Sequence, residues 1–304
     1  MIYELRQETR YTYAAAIPYS SHVARLLPVD RPGQTVRRAT LSITPEPAER
    51  GETTDFFGNR ICHFALDRPH DALVVRLDAE VEVTPTDPYL AALTPPAEEV
   101  RVLAASSDDL GPASPAHGLF ASPSVPLDAA ITGYAALSFP ARRPVLVGAI
   151  DLMKRIKADF DYVPGATDAY TSPSDAFVAR EGVCQDFAQV MIAGLRGLAL
   201  PARYVSGYLR TEPPPGRARL EGADATHAWV EVWCGDEAGW VGLDPTNGIA
   251  AGEDHLILAI GRDYSDVSPL DGVIVTSGAH SLTVAVDVVP LSGASGKRQL
   301  KAVE

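Results

Sequence analysis

Between Val75 and Val83 the chain alternates strictly: Val75, Leu77, Ala79, Val81 and Val83 are apolar, and Arg76, Asp78, Glu80 and Glu82 are polar. A period of two predicts a strand with one buried face. Upstream, Phe57-Gly58-Asn59-Arg60 offers a hairpin turn leading into Ile61-Cys62-His63-Phe64. Residues 1–85 therefore read as a small antiparallel β domain. The pattern then dissolves. From 86 to 142 Pro, Ala and Ser dominate, with Thr94-Pro95-Pro96, Gly111-Pro112-Ala113-Ser114-Pro115 and Ser122-Pro123-Ser124-Val125-Pro126 punctuating short helical candidates. This stretch reads as a connector with little regular structure.

Helical spacing takes over at 146–160, where Ile150, Met153 and Ile156 share a face. A short helix led by Ser174 follows, then a break at Gly182. The next helix, 184–196, has Phe187, Val190, Met191 and Leu195 on its apolar face and is stopped by Gly197 and Pro201. Strands are expected at 202–209, 227–233, 239–243 and 255–260, with an alternating tail at 281–289. Helices first and antiparallel strands afterwards predict an α+β core at 143–293, C-terminal strands included, ending in a polar tail at 294–304. No internal repeat of 20 to 50 residues is visible, which excludes solenoids and propellers.

The chain has 304 residues, 46% of them hydrophobic, enough to build cores and to exclude disorder over most of its length. Lys and Arg number 26 against 39 Asp and Glu, a net charge of −13, and no basic cluster exceeds a pair. Nucleic acid and membranes are therefore not expected partners. The N-terminus has no apolar leader and no run approaches 18 apolar residues, so a cytoplasmic protein is expected. Three cysteines, Cys62, Cys184 and Cys234, are too few and odd in number to staple the fold, which suits a reducing compartment.

Read singly, the cysteines differ. Cys62 and Cys234 suit packing or an exposed turn. Cys184 falls in the first turn of a predicted helix, where the dipole favours a thiolate, the form that attacks carbonyl carbon. His227 stands at the entrance of the strand in Thr226-His227-Ala228-Trp229-Val230-Glu231-Val232-Trp233. Asp244 closes the following strand ahead of Pro245-Thr246-Asn247-Gly248. If Trp233 pairs with Trp240, Asp244 lies opposite Trp229, diagonal to His227 and on its face, within reach of the imidazole. Cys184, His227 and Asp244 then follow the order nucleophile, base and orienter.

Four segments carry a resemblance: Arg180-Glu181-Gly182-Val183-Cys184-Gln185-Asp186-Phe187-Ala188, Pro201-Ala202-Arg203-Tyr204-Val205-Ser206-Gly207-Tyr208, His227-Ala228-Trp229-Val230-Glu231-Val232 and Leu243-Asp244-Pro245-Thr246. In this order they resemble the core motifs of the bacterial transglutaminase-like superfamily. The N-terminal segment, through Gly58-Asn59 and the strand to Val83, resembles the β domain that precedes this core in many members, and 261–269 resembles the segment that follows it. The resemblance implies a papain-like α+β core with Cys184, His227 and Asp244 as the triad.

The backbone N–H of Cys184 is the first candidate oxyanion donor. Tyr162 resembles an aromatic position of the family that projects toward the thiol and reads equally as core packing. Gln185 and Asp186 are candidate substrate contacts, Asp186 equally a helix-dipole partner. Trp229, with Trp233 and Trp240, is a candidate wall of an aromatic cleft or plain core. A zinc site from Cys184, His227 and Asp244 lacks paired ligand spacing and a fourth ligand, and no P-loop, dinucleotide fingerprint or EF-hand loop is present, so neither metal nor cofactor is expected. The reading is acyl transfer or hydrolysis at a peptide or protein amide through a thioester. The alternative is a non-catalytic peptide-binding module that keeps the three residues.

Overall fold

The alternation at 75–83 extends back to His70 in one long strand, and five strands precede it: β1 (Ile2–Ile17), β2 (Ser20–Leu27), β3 (Gln34–Thr44), β4 (Glu49–Thr54), β5 (Arg60–Leu66) and β6 (His70–Val83). The structure is a computed structural model and describes residues 1–84, 93–211, 225–275 and 278–291. The Pro/Gly-rich loop before His227 (213–224), the start of the connector (86–92) and the polar tail (294–304) lie outside the described residues.

Beyond residue 92 come α1 (Ala97–Ala105), α2 (Ala129–Ala136), α3 (Val145–Asp159), β7 (Asp161–Tyr162), α4 (Pro173–Ala179), β8 (Glu181–Gly182) and α5 (Cys184–Gly197). Then follow β9 (Ala202–Leu209), β10 (Ala225–Trp233), β11 (Trp240–Asp244), β12 (Ile249–Ala250), β13 (His255–Gly261), α6 (Tyr264–Val267), β14 (Leu270–Ile274) and β15 (His280–Pro290). The protein is α+β. The central sheet has the order β12-β11-β10-β9-β13, all antiparallel. Ala228, Val230 and Val232 of β10 face the core shared with α5, while Trp229 alternates to the other side and joins Val205 and Ile260.

Two expectations about organisation are corrected. The stretch 86–142 is more than a connector: Val100 and Ala104 of α1 and Ile131 and Ala135 of α2 are buried in the same core as α3 and α5. Its helices are short and bracketed by prolines, which hides their periodicity. The C-terminal strands, assigned above to 143–293, return to the N-terminal region. β15 pairs with β1 in the sheet β15-β1-β6-β3, and β14 pairs with β2 in the sheet β14-β2-β5-β4. Their alternation predicts strands but carries no information about which edge they complete.

The N-terminal sheets also reach into the central one. Tyr208, Leu256 and Leu258 of β9 and β13 are buried in the N-terminal core. The edge of β13 is closed by two side-chain amides acting as a backbone would. Gln34 donates to the Ile257 carbonyl and accepts from the Ile257 N–H, both at 2.8 Å. Asn59, from the 57–60 turn, does the same to Ile260 at 2.8 and 2.9 Å. These four bonds satisfy edge groups that would otherwise be orphaned, each contributing about 1 kcal/mol net.

Candidate active site

Local chemistry places the thiol. Val183 is extended (φ −120°) and caps α5, whose first residue is Cys184. Asp186, in the first turn, reaches back: its Oδ2 accepts the Val183 N–H at 2.7 Å and the Thr167 hydroxyl at 2.6 Å. Gly182 permits this approach, because a Cβ there would meet the Asp186 carboxylate at 2.7 Å. Asp186 is 1% exposed, and burial pushes its carboxyl above the ordinary value. It is spent as a helix cap and offers a substrate no surface.

Cys184 itself is half-buried. The two-residue parallel ladder of β7 and β8 pairs Tyr162 with Gly182, so the tyrosine stands level with the residue two before Cys184. Its ring meets Phe187 edge-on at 6.4 Å yet stays half exposed. Burial, and after it the electrostatic influence of Cys184, raise its hydroxyl above the ordinary value. Gln185 donates to the Ala169 carbonyl at 3.4 Å, tying the preceding loop to the helix start.

The hairpin supplies the imidazole. Its register runs from Trp233 opposite Trp240 to Val230 opposite Leu243, as loop length predicts, and one more step sets Asp244 level with Trp229. His227 Nε2 donates to Asp244 Oδ2 at 2.8 Å. That commitment leaves Nδ1 for the thiol. Burial opposes a charged ring, but the hydrogen bond and charge of Asp244, joined by those of Cys184, outweigh it and push His227 up to about 9. An imidazolium at neutral pH is the counter-ion a thiolate needs.

Asp244 has no exposed surface. Burial alone would raise its carboxyl, yet His227, His255 and Asn247 hold it far below the usual carboxylate range. Oδ1 accepts the backbone N–H groups of Thr246 and Asn247 at 2.9 and 3.1 Å, while Oδ2 accepts Asn247 Nδ2 at 2.7 Å and His255 Nε2 at 3.3 Å besides His227. Trp229 is 1% exposed and stacks on His227 at 6.1 Å, so it backs the imidazole.

The chain matches the bacterial transglutaminase-like N-terminal region over residues 3–82 and the transglutaminase-like superfamily core over 141–245. An uncharacterised protein of Mycobacterium tuberculosis is 39% identical over 295 residues, spanning 96% of this chain and 93% of its own length. The chain belongs to the transglutaminase-like superfamily. A Mycobacterium leprae protein, also uncharacterised, is 32% identical over 289 residues, 93% of this chain and 97% of its own. A protein-glutamine gamma-glutamyltransferase of Pseudomonas aeruginosa is 40% identical over 88 residues, only 29% of this chain and 13% of that protein. The crystal structure of a candidate cysteine protease from Cytophaga hutchinsonii shares the fold, with a TM-score of 0.74 at 21% identity, covering 97% of this chain and 92% of that one. This is a family of cysteine-dependent enzymes.

Two residues of the transglutaminase-like site escaped the sequence reading. Asn247 belongs to the turn after Asp244, and Asp-Pro-Thr-Asn is the kind of segment in which an Asp side chain binds the next backbone groups. His255 gives no sharper signal than any histidine opening a strand. With His227 and Asp244 it forms a group whose ligand-type atoms lie within 4.8 Å of one another. Cys184, weighed above as a zinc ligand, is not in that group. The donor chemistry does not suit a metal. The Gly252 N–H donates to His255 Nδ1 at 3.2 Å, which puts the ring proton on Nε2, the atom a metal would need bare.

On the far side of Trp229 from the helix core, a cleft of about 560 Å³ is lined by Trp229, Trp240, Arg203, Glu231 and Arg31, with His255 in its wall. Arg203 pairs with Glu231 at 2.6 Å and lies over the Trp240 ring at 4.1 Å. Trp233, grouped with these tryptophans above, is buried in the helix-side core instead.

Proposed function

We propose that this transglutaminase-like protein cleaves peptide or protein amides by acyl transfer through a thioester on Cys184. The observation that carries this reading is the His227–Asp244 hydrogen bond of 2.8 Å on an imidazole pushed up to about 9 beside a thiol at a helix start. The thiolate attacks the amide carbonyl, with the Cys184 N–H facing the developing oxyanion. The S–C bond forms. His227 then gives its proton to the departing nitrogen as the C–N bond breaks, and Asp244 keeps the ring oriented throughout. Water or a primary amine attacks the thioester, His227 takes the proton of that nucleophile, and the thiolate returns. The match to a protein-glutamine gamma-glutamyltransferase over 88 residues supports an amide acyl donor, and the half-exposed Tyr162 supplies an aromatic rim for it.

The test is incubation with a glutamine-containing peptide library, with and without a small primary amine, read by mass spectrometry. The expected result is an acyl adduct on Cys184 that is absent in Cys184→Ala, with product mass reporting water or amine as acceptor. Peptide binding without any adduct in the wild type would overturn the reading in favour of a non-catalytic peptide-binding module.

A further inference from the structure

The triad accounts for Cys184, His227 and Asp244, but the buried polar chain runs one residue further. His255 opens β13 and is 5% exposed. Burying an imidazole costs free energy unless both nitrogens find partners. Here both do, and in opposite senses: Nδ1 accepts the Gly252 N–H and Nε2 donates to Asp244 Oδ2. The first bond fixes the tautomer that makes the second possible. The ring is further held edge-on against Trp229, centroids 5.1 Å apart, and Trp229 in turn stacks on His227.

We propose that His255 is a positioning residue of the active site, holding Asp244 in the orientation that serves His227 and limiting how tightly the carboxylate grips the imidazolium proton. This inference rests on the reading that Cys184 and His227 act together. Oδ2 is shared by His227 at 2.8 Å, Asn247 at 2.7 Å and His255 at 3.3 Å. Each N–H drawn to that oxygen spreads its negative charge and makes Asp244 a weaker base toward the others. An over-tight Asp244–His227 pair would keep the proton that the leaving nitrogen requires. Among the described residues, Arg31, Arg203 and Glu231 line the cleft that has His255 in its wall. Cys184 lies on the His227 side. Asp254, next to His255 in the chain, points instead to the Tyr3 hydroxyl at 2.8 Å and to Arg210 at 3.0 Å.

The same arrangement gives the N-terminal sheets a part in the site. His255 is carried by the strand whose edge is closed by Gln34 and Asn59, so the N-terminal region sets the height at which His255 meets Asp244.

Two variants separate hydrogen bonding from packing. His255→Phe keeps a ring against Trp229 and removes the donor; His255→Gln gives up the ring and keeps an amide donor. For His255→Phe the expected result is a loss of about tenfold in kcat with KM within about twofold, and an upward shift in the alkaline limb of both turnover and iodoacetamide labelling of Cys184. His255→Gln should recover most of that loss. The reverse order, an unimpaired Phe variant and an impaired Gln variant, would reduce His255 to packing and overturn the proposal. Nitrogen NMR of the wild-type protein labelled at histidine provides a check that needs neither variants nor substrate. A proton resident on His255 Nε2 is expected, and one resident on Nδ1 would overturn the proposal even if turnover through Cys184 stands. Absence of any acyl adduct with the Nε2 tautomer present would instead count against the thioester reading alone.

Discussion

The β10–β11 hairpin has two ends built from the same two strands, and they treat side chains in opposite ways. At the loop end Trp233 faces Trp240, and Cys234 is wholly buried, its thiol pushed up to about 12 by burial with no opposing charge. At the open end His227 and Asp244 meet across the strands, and burial is outweighed by a partner, so that the imidazole rises to about 9 instead of falling. Desolvation acts at both ends. What separates them is whether a group of opposite charge is desolvated alongside. The lesson for the thiols is direct: Cys234 is a small hydrophobe, and the proposed role of Cys184 as nucleophile rests on α5 starting where the open end of the hairpin arrives.

Substituting the two thiols should break the comparison if it is wrong. Cys184→Ala should abolish adduct formation and lower turnover by at least ~10³-fold, with a melting curve within about 1 kcal/mol of the wild type, since alanine suits a first helical turn. Cys234→Ala should do the reverse, costing about 1–2 kcal/mol of stability through the cavity left and leaving kcat near normal. Equal losses of turnover in both would remove the distinction.

Asp244→Asn should lower kcat by ~10²- to 10⁴-fold with a small change in KM, because the amide selects the wrong tautomer and cannot stabilise the imidazolium. Its alkaline limb should fall from about 9 as the pull on His227 is lost. A variant with normal turnover would leave at most a Cys–His dyad.

Much of this geometry is legible in the sequence, because it depends on local periods. The apolar face of α5 and the six-residue gap from Cys234 to Gly239 are enough to place Cys184 at a helix start and Asp244 diagonal to His227. The illegible parts depend on partners distant in the chain. Asp186 and Trp229 read as candidate contacts, but only the packed structure shows that Thr167 and Val183 use up the first and that Val205 and Ile260 bury the second. Nothing in 280–290 announces that it pairs with β1. The role of Asn59 is equally hidden, since a turn residue 201 positions from Ile260 gives no hint that it closes the edge of β13.

Asn59→Ala sharpens the comparison from the outside, since it loosens the strand behind the open end without touching the hairpin itself. Four side-chain bonds are lost, two to Ile260 and one each to Arg31 and Asp55, and two backbone groups of Ile260 are left short of partners, for a destabilisation of about 2–3 kcal/mol by denaturant melting. Turnover per folded molecule should fall a few-fold. Normal stability would mean that water replaces the amide at no cost.

The His227–Asp244 pair also couples stability to pH. His227 is raised from an ordinary value of 6.5 to about 9, so the folded state binds its proton more tightly than the unfolded chain does. That stabilisation is present in full below pH 6.5 and is lost as pH rises through 9, amounting to about 3 kcal/mol at most. Melting of the wild type between pH 6 and 10 should show this decline, and His227→Ala should flatten it.

The central claim is that Cys184 owes its reactivity to His227, and native labelling by iodoacetamide, read thiol by thiol through peptide mass spectrometry from pH 5 to 10, tests it most directly. Cys184 should react more than about tenfold faster than Cys62 and Cys234 near neutrality, and His227→Ala should remove that advantage below about pH 8. Three thiols labelled at one rate, or a Cys184 rate indifferent to His227, would contradict it.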